Sequence, residues 1–128
     1  MPTDCILITG AGSGDGMAFV IQNESAAGTS GGVGVTGIGR HAAALGYGLF
    51  TTSVAGESLE NSLAIEIDTY HNGNWGDTNS NHISVHTGGT SDNSQDESYS
   101  IGNSGFLGTD LNNGAIHTMR VIYVPGTL

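Results

Sequence analysis

The chain of 128 residues contains no lysine, and its only arginines are Arg40 and Arg120. Set against 12 acidic residues, these leave a net charge of −10. Nucleic acid and anionic membranes are thereby excluded as partners, since both are held through a basic face. Cysteine is nearly absent: Cys5 stands alone, so no internal disulfide can form, and it reads as a small buried or edge hydrophobe. Proline occurs only twice, and no apolar run approaches the length of a membrane span. The opening "MPTDCILITG" has neither the basic start nor the long apolar core of a signal peptide. What the chain has in quantity is glycine, 22 residues, with much serine, threonine and asparagine. These are poor helix formers and good turn formers, so strands and loops are expected. The length allows one domain or part of one.

Near the start, "ILITGAGSGDGMAFV" raises a different possibility. Thr9-Gly10 followed by Gly14-Asp15-Gly16 is similar to the phosphate-cradling turn of short-chain dehydrogenases. That turn must feed a helix of about ten residues with apolar spacing of three and four. Instead "MAFVIQN" is a short apolar run ending in polar residues, and "ESAAGTSGGVGVTGIG" then breaks up in glycine. The catalytic tyrosine–lysine pair of such enzymes also cannot exist without lysine. The dehydrogenase reading fails.

Further along, residues 24–44 read as a loop in which "RHAAALG" carries one helical turn at most. "LGYGLFTTSV" predicts a strand from Leu45 to Val54. "SLAIEIDTYHN" is the clearest strand: Leu63, Ile65 and Ile67 alternate with Ala64, Glu66 and Asp68. "GNWGDTNSN" reads as a loop and "HISVHTG" as the returning strand. Residues 88–105 are polar and hydroxyl-rich, which predicts a mobile loop. "AIHTMRVIYVPG" predicts a last strand, with Ile116, Thr118, Arg120 and Ile122 alternating against His117, Met119, Val121 and Tyr123. Strands joined by long loops without a helical segment define an all-β antiparallel sandwich.

The chemistry gathers in "EIDTYHNGNWGDTNSNH". Glu66 and Asp68 are two apart on a strand, so their side chains leave one face. Asn72 and Asp77 lie in the following loop, and His82 opens the returning strand. Glu66, Asp68, Asp77 and His82 suit a transition metal. Oxygens from Asp68, Asn72, Asp77 and a backbone carbonyl suit calcium. Shared carboxylates could bridge the two ions.

On these residues the sequence resembles the L-type lectins, the legume-lectin superfamily, in a bacterial-type variant. "LAIEIDTYHN", Asp77 and "HISV" match that family's metal loop, "VAVEFDTY-x-N", an aspartate and "HIGI". The resemblance implies a jelly-roll sandwich that binds carbohydrate in a calcium-dependent way. It implies that Glu66, Asp68, Asp77 and His82 hold a manganese-type ion. Asp68, the Tyr70 carbonyl, Asn72 and Asp77 would hold calcium, with waters completing both shells. "GDGMAFVIQN" resembles the strand "ADGLAFFL", which makes Asp15 the acceptor for sugar hydroxyls and implies a cis Gly14–Asp15 bond. "AAALGYGLF" resembles the loop "GGYLGLF", which makes Ala43 a backbone amide donor to the sugar. Asn72 would add a side-chain donor, and the Tyr70 ring would stack on the C–H face of the pyranose. "HTMRVIYV" resembles a back-sheet strand of these lectins.

Two departures from the family's pattern stand out. Its paired glycines fall here on Ala42 and Ala43, so a positive φ in that loop would be strained. The chain is also shorter than the family's domain. It lacks most of the N-terminal strand region and stops at "VPGTL", before the last strands and their specificity loop. Residues 1–128 therefore read as a single partial domain, an incomplete sandwich whose open edges predict self-association or a missing complementary segment. Glycans and calcium place the expected setting outside the cell or at its surface.

Each residue has a duller explanation. Asp-Gly is usually a turn, Asn72 and Asp77 are ordinary loop residues, and His82 could cap a strand. A match at every ligand position outweighs those explanations together. Trp75 reads as a packing anchor, and His41, His71, His86 and His117 as surface or strand-filling residues. Asp92, Asp96 and Glu97 read as a solvated acidic loop. Glycoside hydrolysis needs two carboxyls facing each other across a sugar. Glu66 and Asp68 stand side by side and would be spent on cations, so no catalysis is expected. The competing function is a structural β module that assembles through exposed strand edges.

Overall fold

The computed structural model describes residues 14–23, 37–49 and 58–124. Within them the period-two segments form one antiparallel sheet: β1 (Gly16–Gln22), β2 (Ser62–Asp68), β3 (His82–Thr87) and β4 (Ser100–Asn103), in that spatial order. Among the described residues there is no α-helix, and no helix long and apolar enough to cross a membrane. Short 3₁₀ turns at Ala42–Ala44, Gly73–Trp75 and Glu97–Tyr99 punctuate the connections. The fold is all-β.

Register divides the sheet into two unlike faces. Met17 pairs with Ile67, Phe19 with Ile65 and Ile21 with Leu63; Ile83 and Val85 continue that apolar face on β3. On the other face Ala18 pairs with Glu66 and Val20 with Ala64, and Asp68 pairs with His82, Glu66 with Ser84 and Ala64 with His86. Opposed residues in an antiparallel pair share a face, so the alternation in β2 gathers its carboxylates with the β3 imidazoles. A bulge between Val85 and His86 shifts β4, which still sets Asn103 across from Ser84 on the polar face.

That polar face is covered by loops. Tyr47 and Leu59 pack on Ala64, flanked by Ala18, Val20 and Leu45. Burying Leu59 contributes about 2 kcal/mol relative to leaving it in water. Backbone bonds tie the cover down: Leu59 N–H donates to Tyr47 O (2.9 Å), and Asn93 N–H to Leu59 O (3.1 Å). Gly48 permits the close approach, because a Cβ there would stand 2.4 Å from the Gln95 side-chain oxygen. At the start of β1, a Cβ on Gly16 would meet the Ile67 carbonyl oxygen at 2.1 Å, and its φ is +129°. Only glycine fits there.

Three sequence expectations are corrected. The strand predicted from Leu45 is absent as far as described: residues 45–48 form a turn, bonded back to Arg40 and Ala44, while residues 50–57 lie outside the described residues. Residues 116–123 alternate but form no strand, and Ile116 and Ile122 are 74% and 69% exposed. Alternation specifies a strand only when a neighbour completes the ladder, and no described strand lies beside them. Residues 88–105 are not a mobile loop: Asn93, Ser94 and Gln95 are buried, and the segment supplies β4.

Candidate metal centre

Strand alternation and register deliver Glu66, Asp68 and His82 to one buried cluster, their ligand atoms all within 4.8 Å of one another. The loop between β2 and β3 delivers Asp77. It folds back because its own polar groups bond to the carboxylates: Tyr70 N–H donates to Asp68 Oδ1 (2.7 Å) and Asn72 N–H to Asp77 Oδ2 (2.7 Å). His71 Nε2 lies 2.9 Å from the Asp77 carbonyl, which gives this imidazole a loop-closing role beyond surface filling. Asp77, His82 and Glu97 form a second triad whose ligand atoms again lie within 4.8 Å of one another. His82 belongs to both.

Two residues of this cluster carried no role in the sequence reading. Tyr47 donates its hydroxyl to Glu66 Oε2 from the covering loop. Glu97 sits 3.0 Å from His82 Nε2 and accepts from Asn103 Nδ2 at 2.9 Å, so the expectation of a solvated acidic loop fails for it. Its approach follows from local chemistry: the Asp96 side chain caps the 3₁₀ turn by accepting from Ser98 N–H at 2.8 Å, turning Glu97 toward the sheet. His86 is fully buried rather than on the surface; its Nε2 lies 2.7 Å from Ser84 Oγ and 3.8 Å from Glu66 Oε2.

Electrostatics describe what the cluster needs. Burial pushes Glu66 up to about 7, with the charges of Asp77 and Glu97 adding to the shift against the Tyr47 hydrogen bond. Burial likewise pushes Asp68 up to about 8, and Asp77 and Glu66 raise it further. Asp77 is raised for the same first reason, and burial lowers His86. Carboxylates out of water beside one another ionise at a cost unless a cation joins them. The donor set of aspartate, glutamate and imidazole fits divalent cations in kind and number.

Beside the cluster lies the second group of predicted site residues. Asp15 and Asn72 meet: Asn72 Nδ2 donates to Asp15 Oδ1 at 3.4 Å, and Thr69 N–H holds the Asp15 carbonyl at 3.1 Å. The Tyr70 ring is half exposed, at the edge of an open depression of about 480 Å³ lined by Thr69, His71, Ser80, Asn81, Asp110 and Asn112. Ala43 is buried in its 3₁₀ turn, and among the described residues no hydrogen bond links it to Asp15, Tyr70 or Asn72. Ala42 has a φ of +54°, the strained conformation expected there. The Gly14–Asp15 bond is trans, correcting the expected cis bond; positive φ at Gly14 (+102°) and Gly16 makes the turn into β1 instead.

The family comparison gives the class of this all-β chain, a lectin. Residues 6–127 match the legume lectin domain, and the chain belongs to that family. Searches of curated proteins and of solved structures return no match. Legume lectins bind carbohydrate without catalysis and generally hold calcium and a transition metal.

Proposed function

We propose that this protein is a calcium-dependent carbohydrate-binding module working outside the cell or at its surface, with calcium and a manganese-type ion organising its sugar-facing loop. The observation that carries the reading is the convergence of Glu66, Asp68, Asp77 and His82 with the loop that holds Asn72 against Asp15. Glu66, Asp68, Asp77 and His82 would hold the transition metal; Asp68, the Tyr70 carbonyl, Asn72 and Asp77 would hold calcium. The cations supply the positive charge that lets these carboxylates share one buried place. Asp15 accepts sugar hydroxyls, the Asn72 amide donates to them, the Ala43 backbone amide adds a further donor, and the Tyr70 ring covers an apolar sugar face.

Binding to a glycan array with added calcium, lost in chelator, tests this reading. Asp77→Ala should abolish both calcium and glycan binding, whereas Asp15→Ala should abolish glycan binding and leave calcium binding intact by calorimetry. A folded sample that binds no calcium overturns the mechanism. A structural β module is the second reading, favoured by the exposure of Phe19 (50%) and Ile21 (39%) on β1. Ordered oligomers that persist in chelator, without glycan binding, would favour it.

A further inference from the structure

We infer that Glu97 is a direct ligand of the transition metal, so that five side chains of this chain, Glu66, Asp68, Asp77, His82 and Glu97, drawn from two triads that share His82, take five of that ion's six positions. The inference rests on the reading of the cluster as a divalent-cation site and adds to it a residue from outside the strand–loop–strand motif. Three observations carry it.

The first is lone-pair geometry. His82 Nδ1 lies 3.2 Å from the Asn79 carbonyl, which can only accept, so the Nδ1 proton points there. Nε2 then faces Glu97 Oε1 across 3.0 Å, one electron-pair donor against another. A proton could join this one pair. Asp77 offers a third donor within 4.8 Å of both, and a metal ion takes all three at once. The second is spacing: neighbouring ligands of an octahedral ion with bonds of about 2.1 Å stand about 3.0 Å apart. The separation of Nε2 and Oε1 is that edge. The third is fixation. Glu97 is held by the Asn103 amide and the Asp96-capped turn, its side chain is 16% exposed, and Gly76 leaves it room, since a Cβ there would lie 3.3 Å from Glu97 Cβ. Charge agrees: Glu66, Asp68, Asp77 and Glu97 carry four negative charges when ionised, which two divalent cations neutralise.

Manganese alone is the probe, read through electron paramagnetic resonance of the free ion and relaxation of water protons by the bound ion. Five protein ligands in a six-coordinate shell leave about one exchangeable water; four leave about two. The wild-type protein should show one. Glu97→Gln, which preserves shape, and Glu97→Ala should each weaken manganese binding by about 10- to 100-fold, and Glu97→Ala should raise the water count by one. Two waters on the wild-type ion would overturn the inference even if neither variant folds. Manganese affinity unchanged in a folded Glu97→Ala would do so as well. A wild-type protein that binds no manganese would instead remove the cation reading beneath it.

Discussion

At the scale of single residues, the buried carboxylates make stability a function of both pH and cations. With Glu66 near 7 and Asp68 near 8, the ion-free folded state holds protons that the unfolded chain has already released above about pH 4. A raised carboxyl pKa contributes stability that is present below the unfolded value and lost as pH rises through the folded one. In chelator the thermal midpoint should therefore fall between pH 5 and pH 8, by roughly 4 °C for each kcal/mol lost. Saturating calcium and manganese should remove the fall, because bound cations keep the carboxylates ionised in the folded state. A flat midpoint in chelator would mean that the cluster finds its counter-charge elsewhere. Glu66, Asp68, Asp77 and His82 are legible in the sequence because they sit in one strand–loop–strand return. Glu97 and Tyr47 are not: Glu97 reads as part of a solvated acidic loop and Tyr47 as an ordinary strand residue, and only the packing of their loops on Ala64 and His82 brings them in.

At the scale of elements, β2 is legible because its alternation is strict and both faces are used. β4 is not, since Ser100–Asn103 contains one apolar residue and exists through its ladder with β3. The segments at 45–49 and 116–123 show the converse error, apolar periodicity without a described partner strand. Two glycine exchanges test the elements near the site. Left-handed φ costs alanine about 1–2 kcal/mol, partly offset by the greater chain entropy a glycine loses on folding. Ala42→Gly should therefore stabilise by roughly 0.5–1 kcal/mol, whereas Ala43→Gly, outside the positive-φ residues, should destabilise by a similar amount in urea unfolding. Equal effects at both positions would remove the strain argument. In the other direction, Gly16→Ala drives a Cβ into the Ile67 carbonyl at the point where β1 pairs with Asp68. It should displace Asp15 and press on the Asp68 backbone, lowering glycan affinity at least tenfold and weakening calcium binding by calorimetry with it.

At the scale of the whole molecule, the sheet has one face committed to carboxylates and their loops and one face of Met17, Phe19, Ile21, Leu63, Ile65 and Val85. A cation changes the first face and leaves the second untouched, so the two should act independently. The net charge of −10 opposes association at low salt, and divalent cations and salt relieve that repulsion. Apolar area is indifferent to charge, with half-exposed Phe19 lying on β1, an edge of the described sheet. Light scattering should then report concentration-dependent self-association that strengthens with salt and survives chelator. Phe19→Ser combined with Ile21→Ser should weaken it at least tenfold while leaving calcium binding unchanged. Association that vanishes in chelator would tie the contact to the metal-bearing face instead. A monomer at every concentration and salt would mean that the apolar face is already satisfied within the chain, and carbohydrate binding would then need no second copy.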